Sequence, residues 1–320
     1  MCAGPGQRAG VAGGAVFRIG QLIRRRPVIA VLLCGAVLLA GLLGAVLTVG
    51  LLLSAPSKAV IGPPPANLPT AAPVTVPSGS GSVLQGWWLP GQPGAGAVVL
   101  MHGVHANRLG LVRRARLLAD CGTAVLLFDF QAHGESTGRR ITFGKLEALD
   151  AAAAVRFARD HAPGERVGAV GISLGGAAAL LGPGPLQVDA LVLEAVYPTV
   201  DAALDNRLRA ALGGAVGPLA VPVLAPLFKL LLPPILGVRT EELRPVDRIG
   251  EVRAPVLVAS GTLDDRTTLV ETQGLFARLQ VAGELWTVPG AGHVDLERFD
   301  PEGYRQVVLG FLDRHLRRAP

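Results

Sequence analysis

Val167-Gly-Ala-Val-Gly171-Ile-Ser173-Leu-Gly175-Gly-Ala-Ala-Ala-Leu-Leu181 is the stretch that decides the fold. Val167 to Val170 form an apolar run short enough for a buried strand, and the Ala/Leu run after Gly176 suits a helix. Between them lies Gly171-Ile172-Ser173-Leu174-Gly175, a G-x-S-x-G turn in which a strand reverses into a helix within a few residues. Such a turn crowds the positions two before and two after the serine, so glycine fits there. It also leaves the serine exposed and aims the first helical amides, Leu174 N–H foremost, at a reacting oxygen. With 42 glycines in the chain the pentapeptide also arises by composition alone, and a plain Gly-rich strand-to-helix turn is the competing reading. The strand before it and the helix after it favour the functional one.

Outward from this turn, strand and helix alternate. Ala97 to Met101 reads as a strand running into His102-Gly103-Val104-His105, followed by a helix over Leu109 to Cys121. Thr123 to Phe128 is the next strand, and a helix from Phe143 to His161, with Thr142 as N-cap, is expected to bury Leu146, Leu149, Ala153 and Phe157. After the Val167 strand and its helix come strands at Ala190 to Leu193, Pro255 to Ser260 and Glu284 to Val288. Thr268 and Glu271 form a capping box for a helix reaching Val281. Asp300 caps a last helix that Pro301 opens, burying Tyr304, Val308, Phe311 and Leu312. This rhythm predicts an α/β architecture, a mostly parallel twisted sheet with helices on both faces. Val74 to Val76 and Val83 to Leu89 add a hairpin whose Trp87 and Trp88 point to opposite faces, one of them core. The rhythm breaks over about 197–243, where Pro218, Pro222, Pro226, Pro233 and Pro234 punctuate Leu/Ala/Val runs, and a small helical cap insertion is expected there.

The 320 residues are 50% hydrophobic, enough for one large domain plus a membrane segment. Five of the six net positive charges are Arg8, Arg18, Arg24, Arg25 and Arg26, and no acid precedes Asp120. The remainder is close to neutral, which argues against a nucleic-acid partner. Cys2, Cys34 and Cys121 have neither metal-ligand nor disulfide spacing, and no cofactor or metal is expected. From Val28 to Leu53 no residue is charged; as a helix at ~1.5 Å per residue this run covers about 39 Å, more than the ~30 Å of a hydrocarbon core. The expected organisation is a cytoplasmic segment 1–26, a transmembrane helix 27–53, a Pro-rich linker 54–73 and a catalytic domain 74–320. A signal peptide cleaved between Ser54 and Ala59 is the competing reading. The arginines before the apolar run, against Lys58 alone soon after it, put the N-terminus in the cytoplasm and the domain across the membrane. The sequence does not speak to oligomeric state.

A serine hydroxyl becomes nucleophilic when a base takes its proton and an acid orients that base. Ser173, then Asp264, then His293 follow one another along the chain, each at the C-terminal end of a predicted strand. With the elbow, the His102-Gly103 turn and Asp129-Phe130-Gln131-Ala132-His133-Gly134-Glu135-Ser136, this order makes the chain from about Val74 to Arg318 resemble the α/β-hydrolases of the serine-hydrolase type. Gln131 and Ala132 stand where that family's Asp-x-Arg-Gly-His-Gly-x-Ser segment has Arg-Gly. The resemblance implies Ser173 as nucleophile, His293 as base, Asp264 as acid, and the Val104 and Leu174 N–H groups as oxyanion hole. Asp265 and, at the end of the preceding strand, Glu194 are alternative acids. His102 and His133 suit structural roles in their loops, His161 and His315 sit on helices, and His105 is a candidate for the pocket. The expected function is a serine hydrolase, esterase- or lipase-like, cleaving an ester or thioester of a small or lipid acyl substrate; a peptidase on the same fold and a catalytically silent binding protein are the alternatives.

Overall fold

In the computed structural model residues 27–293 and 295–318 are described, with side chains omitted for 232–236; the segment 1–26 lies outside them. The chain divides into two units, residues 1–49 and 50–320. Helix α1 (Pro27–Ser54) has a mean hydropathy of 2.7 over its most apolar window, so by length and composition it can cross a membrane.

The second unit is built on an eight-stranded sheet. Its strands are β2 (Ala72–Pro77), β3 (Val83–Leu89), β4 (Ala97–Met101), β5 (Ala124–Phe128), β7 (Val167–Ile172), β8 (Ala190–Glu194), β9 (Val256–Gly261) and β10 (Gly283–Val288). They lie in the order β10-β9-β8-β7-β4-β5-β3-β2, parallel except at the β2 and β3 edge. The central strands are buried end to end, as a sheet covered on both faces requires. Alternate side chains such as Val98, Leu100, Val125, Leu127 and Val192 meet α2 (Val112–Asp120) and the C-terminal helix α7 (Gly310–Leu316). On the opposite face lie α3 (Lys145–His161) and α4 (Leu174–Leu180). Burying a large aliphatic side chain contributes roughly 1.5–3 kcal/mol.

Several expectations shift. Trp87 and Trp88 are both buried, because both faces of β3 are covered: Arg108 lies over Trp87, and Phe157 and His161 meet Trp88 edge-on. Helix α3 starts two residues late, although Thr142 Oγ1 still accepts from Leu146 N–H. Ala153 is buried as expected, with Ala148, Ala151, Ala154, Val155, Ala158, Glu147 and Asp150, while Leu146, Leu149 and Phe157 stand at the margin. Helix α6 (Leu269–Phe276) has the expected Thr268–Glu271 capping box but ends five residues before Val281.

The cap is two helices folded about Gly213 (φ 72°, ψ 172°) within α5 (Val200–Leu236). The prolines do not cut it into short pieces. Pro218, Pro222 and Pro226 recur every fourth residue on the exposed side, while Gly217, Val221, Ala225 and Phe228 form the buried side. Val200–Leu231 also passes the test of length and composition for a membrane span, with mean hydropathy 1.8.

Residues 54–73 were expected to form a spacer, yet they lie on the domain. β1 (Ser57–Lys58) pairs in parallel with β6 (His133–Gly134), Lys58 Nζ donates to Ser136 O, and Glu135 Oε1 accepts from the Ile61 and Gly62 N–H groups. Leu68 is buried in the core.

Candidate active site

The turn between β7 and α4 holds Ser173 at φ 50° and ψ −108°, a conformation that costs a non-glycine residue of order 1–3 kcal/mol. Crowding explains the glycines as expected, a Cβ on Gly171 lying 2.7 Å from the Gly175 backbone, with further contacts beyond that pair. A Cβ on Gly171 would lie 2.6 Å from Gly176 backbone, and one on Gly175 would lie 2.5 Å from Met101 O at the end of β4. Ser173 N–H donates to Glu194 O (2.7 Å), and the α4 ladder begins with Ala177 N–H to Ser173 O, so Leu174 N–H is left at the free helix end.

That end borders a pocket of about 640 Å³, partly open to solvent, lined by Ser173, Leu174, Val104, His105, Phe143 and Tyr197 together with Leu53 and the α5 residues Val200, Ala203, Leu204 and Arg207. Among the described residues, neither Val104 N–H nor Leu174 N–H donates to a protein acceptor. Two free amides beside a serine are what a developing oxyanion needs.

The loop carrying Val104 is braced from below. His102 Nδ1–H donates to Gly103 O (2.7 Å) while its Nε2 accepts from Phe130 N–H (3.0 Å). His133 Nδ1–H donates to Gln131 O, and its Nε2 accepts from His105 N–H (3.2 Å). Both rings use one nitrogen as acceptor, so both are neutral. Burial, with His133 beside it, pushes His102 down to about 3, and burial also lowers His133. Asp129 accepts from Arg108 N–H (2.8 Å) and Glu135 N–H (3.0 Å), and the Arg108 guanidinium bridges Asp129 and Glu135.

On the neighbouring strands, Asp264 follows β9 and His293 follows β10. The Asp264 carboxylate is buried; Oδ2 accepts from His293 Nδ1–H (2.8 Å), and Oδ1 accepts from Arg266 and Thr267 N–H (2.9 and 2.8 Å). This fixes the tautomer that leaves His293 Nε2 with its lone pair. Asp264, not the exposed Asp265, is therefore the acid joined to His293. Glu194 is occupied elsewhere, accepting from Tyr304 OH (2.7 Å) and Arg114 (2.8 Å). Among the described residues no hydrogen bond joins Ser173 Oγ to His293, and free enzymes often show this pair apart.

Three features escaped the sequence. Arg114, 2% exposed, binds Glu194 beside the elbow and Asp295 beside His293 (2.8 Å each), and its Nε donates to Tyr304 OH (3.1 Å). Burial opposes its charge, but Glu194 above all, with Asp295, holds the guanidinium well above its usual range. Tyr197 OH donates to Phe143 O (2.7 Å), closing one pocket wall. Arg207 on the cap brings a charge into the pocket. Nothing adjacent in sequence signalled these: Arg114 lies in a run with Arg113 and Arg116, and Arg207 between Asn206 and Leu208. Among the described residues no group of three or more His, Cys, Asp or Glu converges as a metal site.

Residues 92–232 match the family model described as serine aminopeptidase, S33. The chain is 30% identical over 258 residues to the uncharacterized protein Rv2307c of Mycobacterium tuberculosis, covering 78% of this chain and 83% of that one. It is 26% identical over 242 residues to the uncharacterized protein YqkD of Bacillus subtilis, covering 74% and 78%. Among solved structures, an esterase of Pyrococcus furiosus superposes with a TM-score of 0.67 at 24% identity, over 82% of this chain and 98% of that one.

Proposed function

The chain belongs to the α/β-hydrolase family, and from that premise we propose that it is a serine hydrolase cleaving an acyl ester or thioester. What carries this reading is one pocket that holds Ser173 in a strained elbow next to two undonated amides, with the Asp264–His293 pair on adjacent strand ends. Ser173 Oγ attacks the acyl carbonyl carbon as His293 Nε2 takes its proton, and the carbonyl π electrons move to oxygen. Val104 and Leu174 N–H hold that oxyanion, each worth about 3–4 kcal/mol in the transition state. Collapse breaks the bond to the leaving oxygen or sulfur, which receives the proton from His293, and leaves an acyl-Ser173. Water, deprotonated by the same imidazole, then releases the acid and restores the serine. Asp264 holds the ring and balances the imidazolium.

The family model's description raises an aminopeptidase as a second reading. Such an enzyme must receive a protonated amino terminus, and the described pocket lining contains no carboxylate; its one fully charged side chain, Arg207, has the wrong sign. The ester reading is preferred for that reason. α1 is read as an uncleaved anchor with a cytoplasmic N-terminus, which puts lipid or lipid-linked substrates within reach.

A fluorophosphonate probe tests the catalytic reading: it should label wild type and not Ser173→Ala, and the same variant should lose hydrolysis of 4-nitrophenyl esters. A folded wild type that neither labels nor turns over favours a silent binding protein. For the anchor, protease added outside intact spheroplasts should digest the domain; protection would reverse the assigned side.

A further inference from the structure

We propose that Arg207 makes the Ser173 pocket selective for acyl substrates that carry an anion, a carboxylate or phosphate, within reach of the first cap helix. This rests on the serine-hydrolase reading above and adds the substrate's charge to it.

Among the described residues lining the pocket, Arg207 is set in a mostly apolar wall with Val200, Ala203 and Leu204 on its own helix and Val104, Phe143 and Leu53 around it. The Tyr197 hydroxyl is already used on Phe143 O. Among the described residues the half-buried guanidinium makes one hydrogen bond, Nη1–H to Ala203 O at 3.2 Å, one turn back. No described carboxylate lies within ion-pair distance of it. The two residues before it on the cap are engaged, Asp205 with Lys229 (3.2 Å) and Asn206 with Glu271 (2.8 Å). The charges that act on Arg207 are Arg266, of like sign, and Asp264, whose oxygens are engaged by His293 and two backbone amides. A guanidinium has five N–H donors in a planar fork, and most of these lack a protein acceptor here. Holding such a cation in an apolar wall is unfavourable without a counter-charge, and a carboxylate or phosphate matches the fork in two parallel hydrogen bonds.

The anion can sit on the acyl side or on the alcohol side of the scissile bond, and two substrate pairs separate these. One is 4-nitrophenyl hydrogen adipate against 4-nitrophenyl hexanoate; the other is a medium-chain monoacylglycerol phosphate against the matching monoacylglycerol. The readout is the anionic-to-neutral ratio of kcat/KM. We expect a ratio of about ten or more in at least one pair for wild type, a ratio near one for Arg207→Gln, and an intermediate one for Arg207→Lys, which keeps the charge without the fork. A wild-type ratio near one in both pairs overturns the proposal, as does a high ratio that survives Arg207→Gln. If Arg207→Gln does not fold, the wild-type ratios and Arg207→Lys decide. Ser173→Ala addresses the underlying reading separately. Hydrolysis surviving in it removes the serine assignment, whereas hydrolysis abolished without any anion preference removes the role of Arg207 alone.

Discussion

Replacing Arg114 by methionine should loosen two parts of the site at once. The guanidinium joins Glu194, whose backbone oxygen receives Ser173 N–H, to Asp295, two residues beyond His293. Methionine fills much of the volume but leaves the Glu194 carboxylate, 2% exposed, with only Tyr304 OH as partner. Stranding a buried charge typically costs 3–5 kcal/mol. At about 2–4 °C per kcal/mol for a domain of this size, Tm should fall by roughly 6–20 °C. With Asp295 released, His293 spends less time aligned, and kcat should fall about 10–100-fold with KM little changed. The assay is 4-nitrophenyl ester hydrolysis at a temperature where the variant is folded, beside a thermal melt. The double variant Arg114→Met/Glu194→Gln separates the effects: removing the stranded charge should recover several degrees of Tm but not kcat. Arg114→Met with wild-type kcat, or a double variant with fully restored kcat, would refute the role of Arg114 in holding the histidine loop.

Asp264→Asn should turn the wrong ring nitrogen of His293 toward the serine and lower kcat about 10³–10⁴-fold with little change in KM, read from steady-state hydrolysis. Ser173→Gly relieves the positive φ, so it should abolish turnover while raising stability by about 1 kcal/mol in a denaturant titration. Because burial depresses His102 to about 3, its unfolded form binds the proton first as the pH falls. Its neutral form therefore supports the fold fully above about 6.5, and stability should drop by up to about 1.4 kcal/mol per pH unit between about 6.5 and 3, with His133 adding in the same direction. Melts across that range check this, and His102→Asn should flatten the slope. Gly175→Ala pushes a methyl onto Met101 backbone and should both destabilise the domain and slow hydrolysis by displacing the His102–Val104 loop.

What could be read in advance follows from how locally each feature is encoded. Buried parallel strands are continuous apolar runs, and the elbow is a pentapeptide, so the strands on either side of β7 and the turn at Ser173 were legible. The pairing of Arg114 with Glu194 spans 80 residues and sits on a helix whose arginines all look solvated in sequence. Glu147 and Asp150 carry no local signal of burial either, yet they are buried because Thr142, Ser78, Ser80 and Gln131 supply their hydrogen bonds. The length of the α5 helices was not legible because a breaker is judged one residue at a time, whereas Pro218, Pro222 and Pro226 repeat every fourth residue on the exposed side.

The strand β1 carries a consequence for any form of the protein shed from its N-terminal helix. Ser57 N–H donates to Ala132 O (2.7 Å) and Ala59 N–H to Gly134 O (3.1 Å), so these residues are stitched to the β6 segment whose His133 props His105. A protease cutting just after Ser54 would keep that seam; a cut a few residues later would unpick it. Trimming at those two places should therefore yield two soluble proteins of nearly equal mass and unequal activity.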